Sequence, residues 1–102
     1  EIKIQMNKEK LILIEQLCIH YQVEMSLFSE LQDFGIIEIL TIEDSYFIHE
    51  DKISVIEKVV RMQKDLNINL EGVDTVLNLL DKINDLQTQL NTVQNRLRLY
   101  ED

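Results

Sequence analysis

The sequence predicts a mainly α-helical protein with a small β hairpin and a long C-terminal helix. The 102 residues include no proline and only two glycines, which leaves little of the turn chemistry that all-β folds need. Apolar residues recur at spacings of three and four through most of the chain, as on the buried face of a helix. Hydrophobic residues make up 45% of the composition, which is enough for one small, mostly aliphatic core.

Two short helices are predicted in the first third of the chain. The apolar spacing from Ile14 to Tyr21 predicts one helix, and the spacing from Leu27 to Phe34 predicts a second. Gly35 follows the second helix at the position where a left-handed C-terminal cap is expected. Each helix therefore presents one apolar face to a common core.

β-branched residues after the second helix predict a hairpin, which we call the wing. Its first strand is expected over 36–42, its turn at Glu43-Asp44-Ser45 and its second strand over 46–48. Ile2, Ile4 and the segment from Leu11 to Ile14 also alternate or cluster as in short strands, but the first ten residues are mostly polar and this signal receives little weight. The wing is therefore predicted as a two-stranded element.

Two further helices complete the chain, one from Ile53 to Leu66 and one from Asn69 to Tyr100, where Asn69 is a good N-cap. The last helix would be about 47 Å long, more than a body of this size can cover. A helix that folds back on its own domain is the alternative, but it needs a loop that the sequence lacks. The distal residues form a heptad seam, for which we expect homodimerisation: Leu86, Leu90, Val93, Leu97 and Tyr100. The predicted domains are thus 1–68 and 69–102.

Charge is distributed unevenly along the chain, whose net charge is −9. No lysine or arginine occurs from Leu11 to Asp51, a window that holds nine carboxylates: Glu15, Glu24, Glu30, Asp33, Glu38, Glu43, Asp44, Glu50 and Asp51. Such a window repels phosphate, so a partner that meets it should be basic. The alternative is that the acids only keep the protein soluble.

Side chains that carry chemistry are few and scattered. Cys18 is the single cysteine, and His20 lies about 200° from it around a helix, too far to share a metal ion. Cys18 is expected in the core, His20 at the surface, and His49 as a polar residue at a helix entry. No phosphate-binding loop or metal-binding motif is present. We therefore expect no catalytic residue, no cofactor and no metal site.

The sequence also indicates where the protein works. Its longest apolar run, Leu11 to Ile14, is far shorter than a membrane span, and no signal peptide is visible. The lone cysteine agrees with a reducing compartment. We expect a cytoplasmic protein.

The order helix, turn, helix, wing, helix and long seam helix resembles the MerR-type winged helix-turn-helix regulators. The resemblance is sharper to the chaperone-modulator branch of that family, the CbpM-like proteins. It is carried by residues 14–18, by Phe34-Gly35-Ile36-Ile37-Glu38 and above all by Arg61-Met62-Gln63-Lys64-Asp65-Leu66-Asn67-Ile68-Asn69-Leu70-Glu71-Gly72-Val73. The resemblance implies a dimer that binds the J-domain of a CbpA-type, DnaJ-like co-chaperone and restrains its activity.

The chain departs from DNA-binding MerR proteins where those regulators contact phosphate. Ser29-Glu30-Leu31 stands where they place an arginine and tyrosines, and Glu43, Asp44 and Phe47 occupy the wing region where they place an arginine. A MerR-like transcription factor is the alternative function, and a coiled-coil adaptor without a J-domain partner is a third. For the J-domain interpretation, the expected partner-binding residues are Glu30, Asp33, Glu38, Glu43 and Asp44.

Overall fold

A computed structural model describes residues 3–6 and 9–101 of the chain. The chain divides into two compact units, Glu1–Leu70 and Glu71–Asp102. The first unit contains four strands and three helices, and the second consists of the greater part of one long helix. The predicted class, mainly α with a small sheet and a long C-terminal helix, is confirmed.

Four strands form an antiparallel sheet in the order β1-β2-β4-β3: β1 Lys3–Met6, β2 Glu9–Leu13, β3 Leu40–Ile42 and β4 Ser45–His49. The low weight given to the strand signal in the first ten residues was wrong, because β1 and β2 extend the wing to four strands. Ile2 lies outside the described residues. The β2–β4 pairing places Leu13 opposite Phe47, which joins the beginning of the chain to the wing.

The first two helices are α1, Ile14–Tyr21, and α2, Met25–Asp33. The turn between them contains Gln22 in the left-handed conformation. Lys64 Nζ donates to the carbonyl oxygens of Tyr21 and Gln22 at 2.7 and 3.1 Å, which satisfies acceptors that the end of α1 leaves open. A lysine at the end of the third helix, Lys64, therefore stabilises this turn.

Gly35 ends α2 in the way that the sequence predicts. Its φ of +77° is left-handed, and the N–H groups of Gly35 and Ile36 donate to the carbonyls of Gln32 and Leu31, both at 2.9 Å. This pair of bonds is a Schellman motif. Phe34, which was predicted on the apolar stripe, lies at the helix end and is partly exposed.

The wing is shorter and tighter than predicted. Its first strand is Leu40–Ile42 rather than 36–42, since residues 36–39 run as irregular chain after the glycine cap. Its turn contains two residues, Glu43 and Asp44, both with positive φ, as in a type I′ turn, and Ser45 already belongs to β4. The turn geometry matches the twist of the flanking strands and explains why the hairpin closes so sharply.

Helix α3, Ile53–Lys64, follows a short 3-10 turn at Glu50–Lys52. It ends before the predicted Leu66, which is 65% exposed and follows the helix instead of completing its apolar stripe. Asn67 has a left-handed φ that redirects the chain towards the next helix. The direction of the chain after α3 is thus set by the backbone conformation of Asn67, which the spacing of apolar residues does not indicate.

The described side chains of the first unit enclose one aliphatic core with Phe28 and Phe47 as its aromatic members. No polar or charged side chain is buried among the described residues. The core residues come from the sheet, the helices and, for Ile37, the irregular segment before the wing: Leu11, Ile14, Leu17, Leu27, Phe28, Leu31, Ile37, Phe47, Ile48, Ile56, Val59, Val60, Met62 and Leu70. Stability therefore rests on apolar burial, while charge is kept at the surface.

The last helix, α4, covers Leu70–Glu101 and has 32 residues. It begins directly after Asn69 and continues without interruption, as the sequence predicts. Val73 is buried, whereas from Leu79 onward its large apolar residues are exposed.

Replacing Gly35 by alanine should destabilise the protein by about 1–2 kcal/mol, because an L-residue resists the left-handed conformation. A Cβ at this position would meet no atom within 4 Å, so the loss is one of backbone conformation alone. Gly35→Asn should lose less, since asparagine tolerates positive φ. Urea unfolding midpoints measure both changes, and equal losses for the two variants would contradict this explanation.

Candidate protein-interaction surface

The acidic window of the sequence becomes a solvent-facing surface. All nine carboxylate residues between Leu11 and Asp51 are exposed, so none is neutralised by burial in the core. They lie on α1, α2, the wing and the connections between these elements. The surface of this part of the chain is therefore negative.

Helix α2 turns its two faces to different environments. Leu27, Phe28 and Leu31 are buried, while Glu30 and Asp33 are exposed on the outer face. These two carboxylates stand three residues apart, and side chains at this spacing are neighbours on a helix surface. The outer face also carries serines and no basic residue.

The three remaining predicted site residues lie after α2. Glu38 is exposed on the irregular segment before the wing, next to Ile39, whose N–H donates to Gln32 Oε1 at 2.7 Å. Glu43 and Asp44 are adjacent at the wing turn. The structure thus brings the predicted residues together as two local pairs, with Glu38 on the connection between α2 and the wing.

A cleft of about 370 Å³ opens between α1, the first residue of α2 and the wing turn. Its lining is mainly apolar, with two carboxylates, and comprises Leu13, Glu15, Cys18, Met25, Asp44, Ser45 and Tyr46. Of the five predicted partner-binding residues, only Asp44 belongs to this lining. The cleft adds Glu15, from α1, as a second carboxylate.

Cys18 forms part of the wall of this cleft and is half-buried, rather than lying in the core as predicted. Burial, followed by the negative charge of Glu15, raises the pKa of the Cys18 thiol. The thiol is therefore protonated at neutral pH, and the field in the cleft is one that disfavours a further negative charge.

Outside the cleft, polar side chains make structural contacts. The Tyr21 hydroxyl donates to Glu57 Oε1 at 3.1 Å, and burial together with this carboxylate raises the pKa of Tyr21. Among the described residues, no group of histidine, cysteine or carboxylate side chains is arranged to hold a metal ion. No described helix is long and apolar enough to cross a membrane.

The predicted seam of α4 is solvent-exposed in the single chain. Leu90 is 51% and Leu97 58% exposed, and the other seam residues, Leu86, Val93 and Tyr100, are exposed as well. Leu99 is 80% exposed but falls outside the heptad spacing. The helix therefore carries a continuous apolar stripe along its distal half.

Comparison with known proteins identifies the fold family. The profile of the family described as MerR HTH family regulatory protein matches residues 12–95, which is most of the chain. The chain belongs to this MerR family. The match runs from β2 through the helix-turn-helix pair and the wing into α4.

Within the MerR family, the chain is similar to chaperone modulatory proteins. Proteins named chaperone modulatory protein CbpM, from Escherichia coli strain K12 / DH10B, Escherichia coli O157:H7 and Shigella boydii serotype 18, are each 24% identical to it over 85 residues. The alignments cover 82% of this chain and 84% of each relative. The resemblance to CbpM-like MerR proteins is thereby confirmed.

Sequence reasoning missed Glu15, Met25 and Tyr46 as members of a site in this MerR protein. Glu15 was counted with the acidic window, but it meets Asp44 at one cleft only because β2 pairs with β4. Tyr46 is 49% exposed on the wing, which is a sizeable exposure for an aromatic side chain. The run Glu43-Asp44-Ser45-Tyr46, in which an aromatic residue follows two acids across one serine, is a local signal that could have indicated the cleft.

Replacing Glu15 by glutamine should lower the pKa of Cys18, because it removes a negative charge that opposes thiolate formation. Alkylation of Cys18 by iodoacetamide should then be faster at any pH below that pKa. Rate against pH measures the change, and Glu24→Gln is the control, since Glu24 is an acid outside the cleft lining. A rate profile that stays in place, or moves to higher pH, would contradict the proximity of Glu15.

Proposed function

We propose that this chain is a chaperone modulator that binds the J-domain of a CbpA-type, DnaJ-like co-chaperone and restrains its activity. The binding surface in this proposal consists of the outer face of α2 and the wing, with Glu30, Asp33, Glu38, Glu43 and Asp44 as contact residues. The observation on which the proposal rests is that residues 11–51, which form the helix-turn-helix and most of the wing of this MerR fold, contain nine exposed carboxylates and no lysine or arginine.

Two observations support the proposal. Relatives that align with most of this chain are named chaperone modulatory proteins, which points to a co-chaperone as the partner. J-domains carry a recognition helix rich in lysine and arginine, as the CbpM-like resemblance implies, and this charge complements the acidic surface. Occupation of the basic helix would keep it from the other partners of the J-domain.

DNA binding receives little support from the same surface. Affinity for duplex DNA comes largely from the neutralisation of phosphates by lysine and arginine. The residues from Leu11 to Asp51, which include both helices of the helix-turn-helix and the wing turn, contain neither. The MerR scaffold here presents a surface that repels the phosphate backbone.

We also propose that two copies of the chain associate through the distal half of α4. Exposed apolar side chains at heptad spacing are buried when a second helix packs against them. The seam comprises Leu86, Leu90, Val93, Leu97 and Tyr100, all exposed in the single chain. A dimer would present two acidic surfaces to co-chaperones.

Reversing Glu30 and Asp33 together to lysine should weaken binding to a purified CbpA-type J-domain by at least about tenfold, or 1.4 kcal/mol. Wild-type association should also slow as salt rises, because a Debye length of about 8 Å at physiological salt screens surface charge. Asp81→Lys with Asp85→Lys is the matched control, since it makes the same change in net charge on α4.

Isothermal titration of wild type and of the two double variants with the J-domain distinguishes the possible outcomes. If both double variants lose the same affinity for the J-domain, the effect is one of net charge alone. If the Glu30 and Asp33 variant keeps the wild-type affinity, the binding site lies elsewhere on the chain. Absence of binding by wild type would overturn the proposed function and leave the adaptor hypothesis.

Replacing Leu90 and Leu97 by aspartate should convert a dimer into a folded monomer, because two charges would face the partner seam. Leu99→Asp is the control, since this residue is exposed outside the heptad spacing. Light scattering gives the mass of each protein, and circular dichroism reports helix content. A monomeric wild type, or dissociation by Leu99→Asp alone, would contradict the proposed seam.

A further inference from the structure

The cleft between α1, α2 and the wing turn has the features of a binding site for an apolar side chain. Its volume of about 370 Å³ exceeds that of any single side chain, and volumes of this order are typical of ligand pockets. Leu13, Met25 and Tyr46 supply apolar contact area, and all three are only partly buried. No polar atom of the cleft wall is buried without a partner among the described residues.

Charge selects the occupant of this cleft. Glu15 and Asp44 stand in its lining, and every lining residue lies in the window that contains no lysine or arginine. An occupant must therefore bring its own positive charges close to an apolar group, as an amphipathic basic helix does. Anionic and neutral small ligands would leave both carboxylates unpaired.

The wing turn holds Asp44 in place at a conformational cost. Glu43 and Asp44 adopt φ values of 49° and 64°, a conformation for which type I′ turns prefer asparagine and glycine. Glu43 thus occupies a position that favours asparagine or aspartate, Asp44 occupies one that favours glycine, and Asp44 lines the cleft. Strained backbone of this kind is common where a side chain must be held for binding.

We propose that this cleft is the anchor point for the partner: it takes an apolar side chain from a basic amphipathic helix, whose flanking lysine or arginine residues pair with Glu15 and Asp44. The inference rests on the proposed function and gives it a defined site. In this arrangement, the carboxylates on the outer face of α2 attract the basic helix of the partner over a distance, and the cleft provides the buried contact.

Cys18 offers a direct test, because it is the single cysteine of the chain and forms part of the cleft wall. A bulky maleimide attached to Cys18 should fill the cleft and weaken binding of a CbpA-type J-domain by at least about tenfold. The matched control carries Cys18→Ser with Ile19→Cys, which places the same adduct on the exposed neighbour of Cys18 in α1. Circular dichroism verifies that both adducts remain folded.

The converse measurement uses the unmodified chain. The J-domain should protect Cys18 from alkylation and should leave the thiol of the Cys18→Ser, Ile19→Cys control reactive. Failure of the unmodified chain to bind the J-domain would overturn the proposed function together with this inference. Binding that survives the Cys18 adduct and leaves Cys18 unprotected would overturn the cleft alone and leave the proposed function standing.

Discussion

The pairing of β2 with β4 is the constraint on which the candidate site depends. It sets Leu13 opposite Phe47, and α1 begins at the next residue, Ile14. The register therefore fixes where α1 stands relative to the wing turn. A shift of one residue would turn the buried Phe47 towards the opposite face of the sheet. Glu15 and Asp44 can line one cleft because this pairing is in place.

Apolar and charged residues have separate roles in this MerR protein. The core is aliphatic and aromatic, with no buried charge among the described residues, so the carboxylates of α1, α2 and the wing are free of desolvation cost. Their exposure leaves them available for a basic partner at long range. In the proposed complex, the half-buried wall of the cleft would provide the short-range contact area that charge alone does not supply.

Local signals were sufficient for most helices. Apolar spacing predicted α1 and α2, Gly35 predicted the end of α2, and the uninterrupted seam predicted α4. The strand signal of β1 and β2 was given little weight because the first ten residues are mostly polar, and the pairing of β2 with β4 was missed because the pairing of distant segments cannot be read from the pattern of either one. The cleft was missed for the same reason. The sequence shows that this part of the chain is acidic. Only the fold shows that Glu15 and Asp44 line one cleft with Met25 and Tyr46.

Backbone amide NMR of the ¹⁵N-labelled chain, titrated with a CbpA-type J-domain, tests the central claim most directly. We expect the largest shift changes at Leu13–Cys18, which joins the end of β2 to α1, at Glu43–Tyr46 of the wing and at Met25. These residues line the cleft or flank residues that line it. Smaller changes should follow along the outer face of α2. Changes confined to α4 beyond Leu79, with the cleft residues unaffected, would contradict the account.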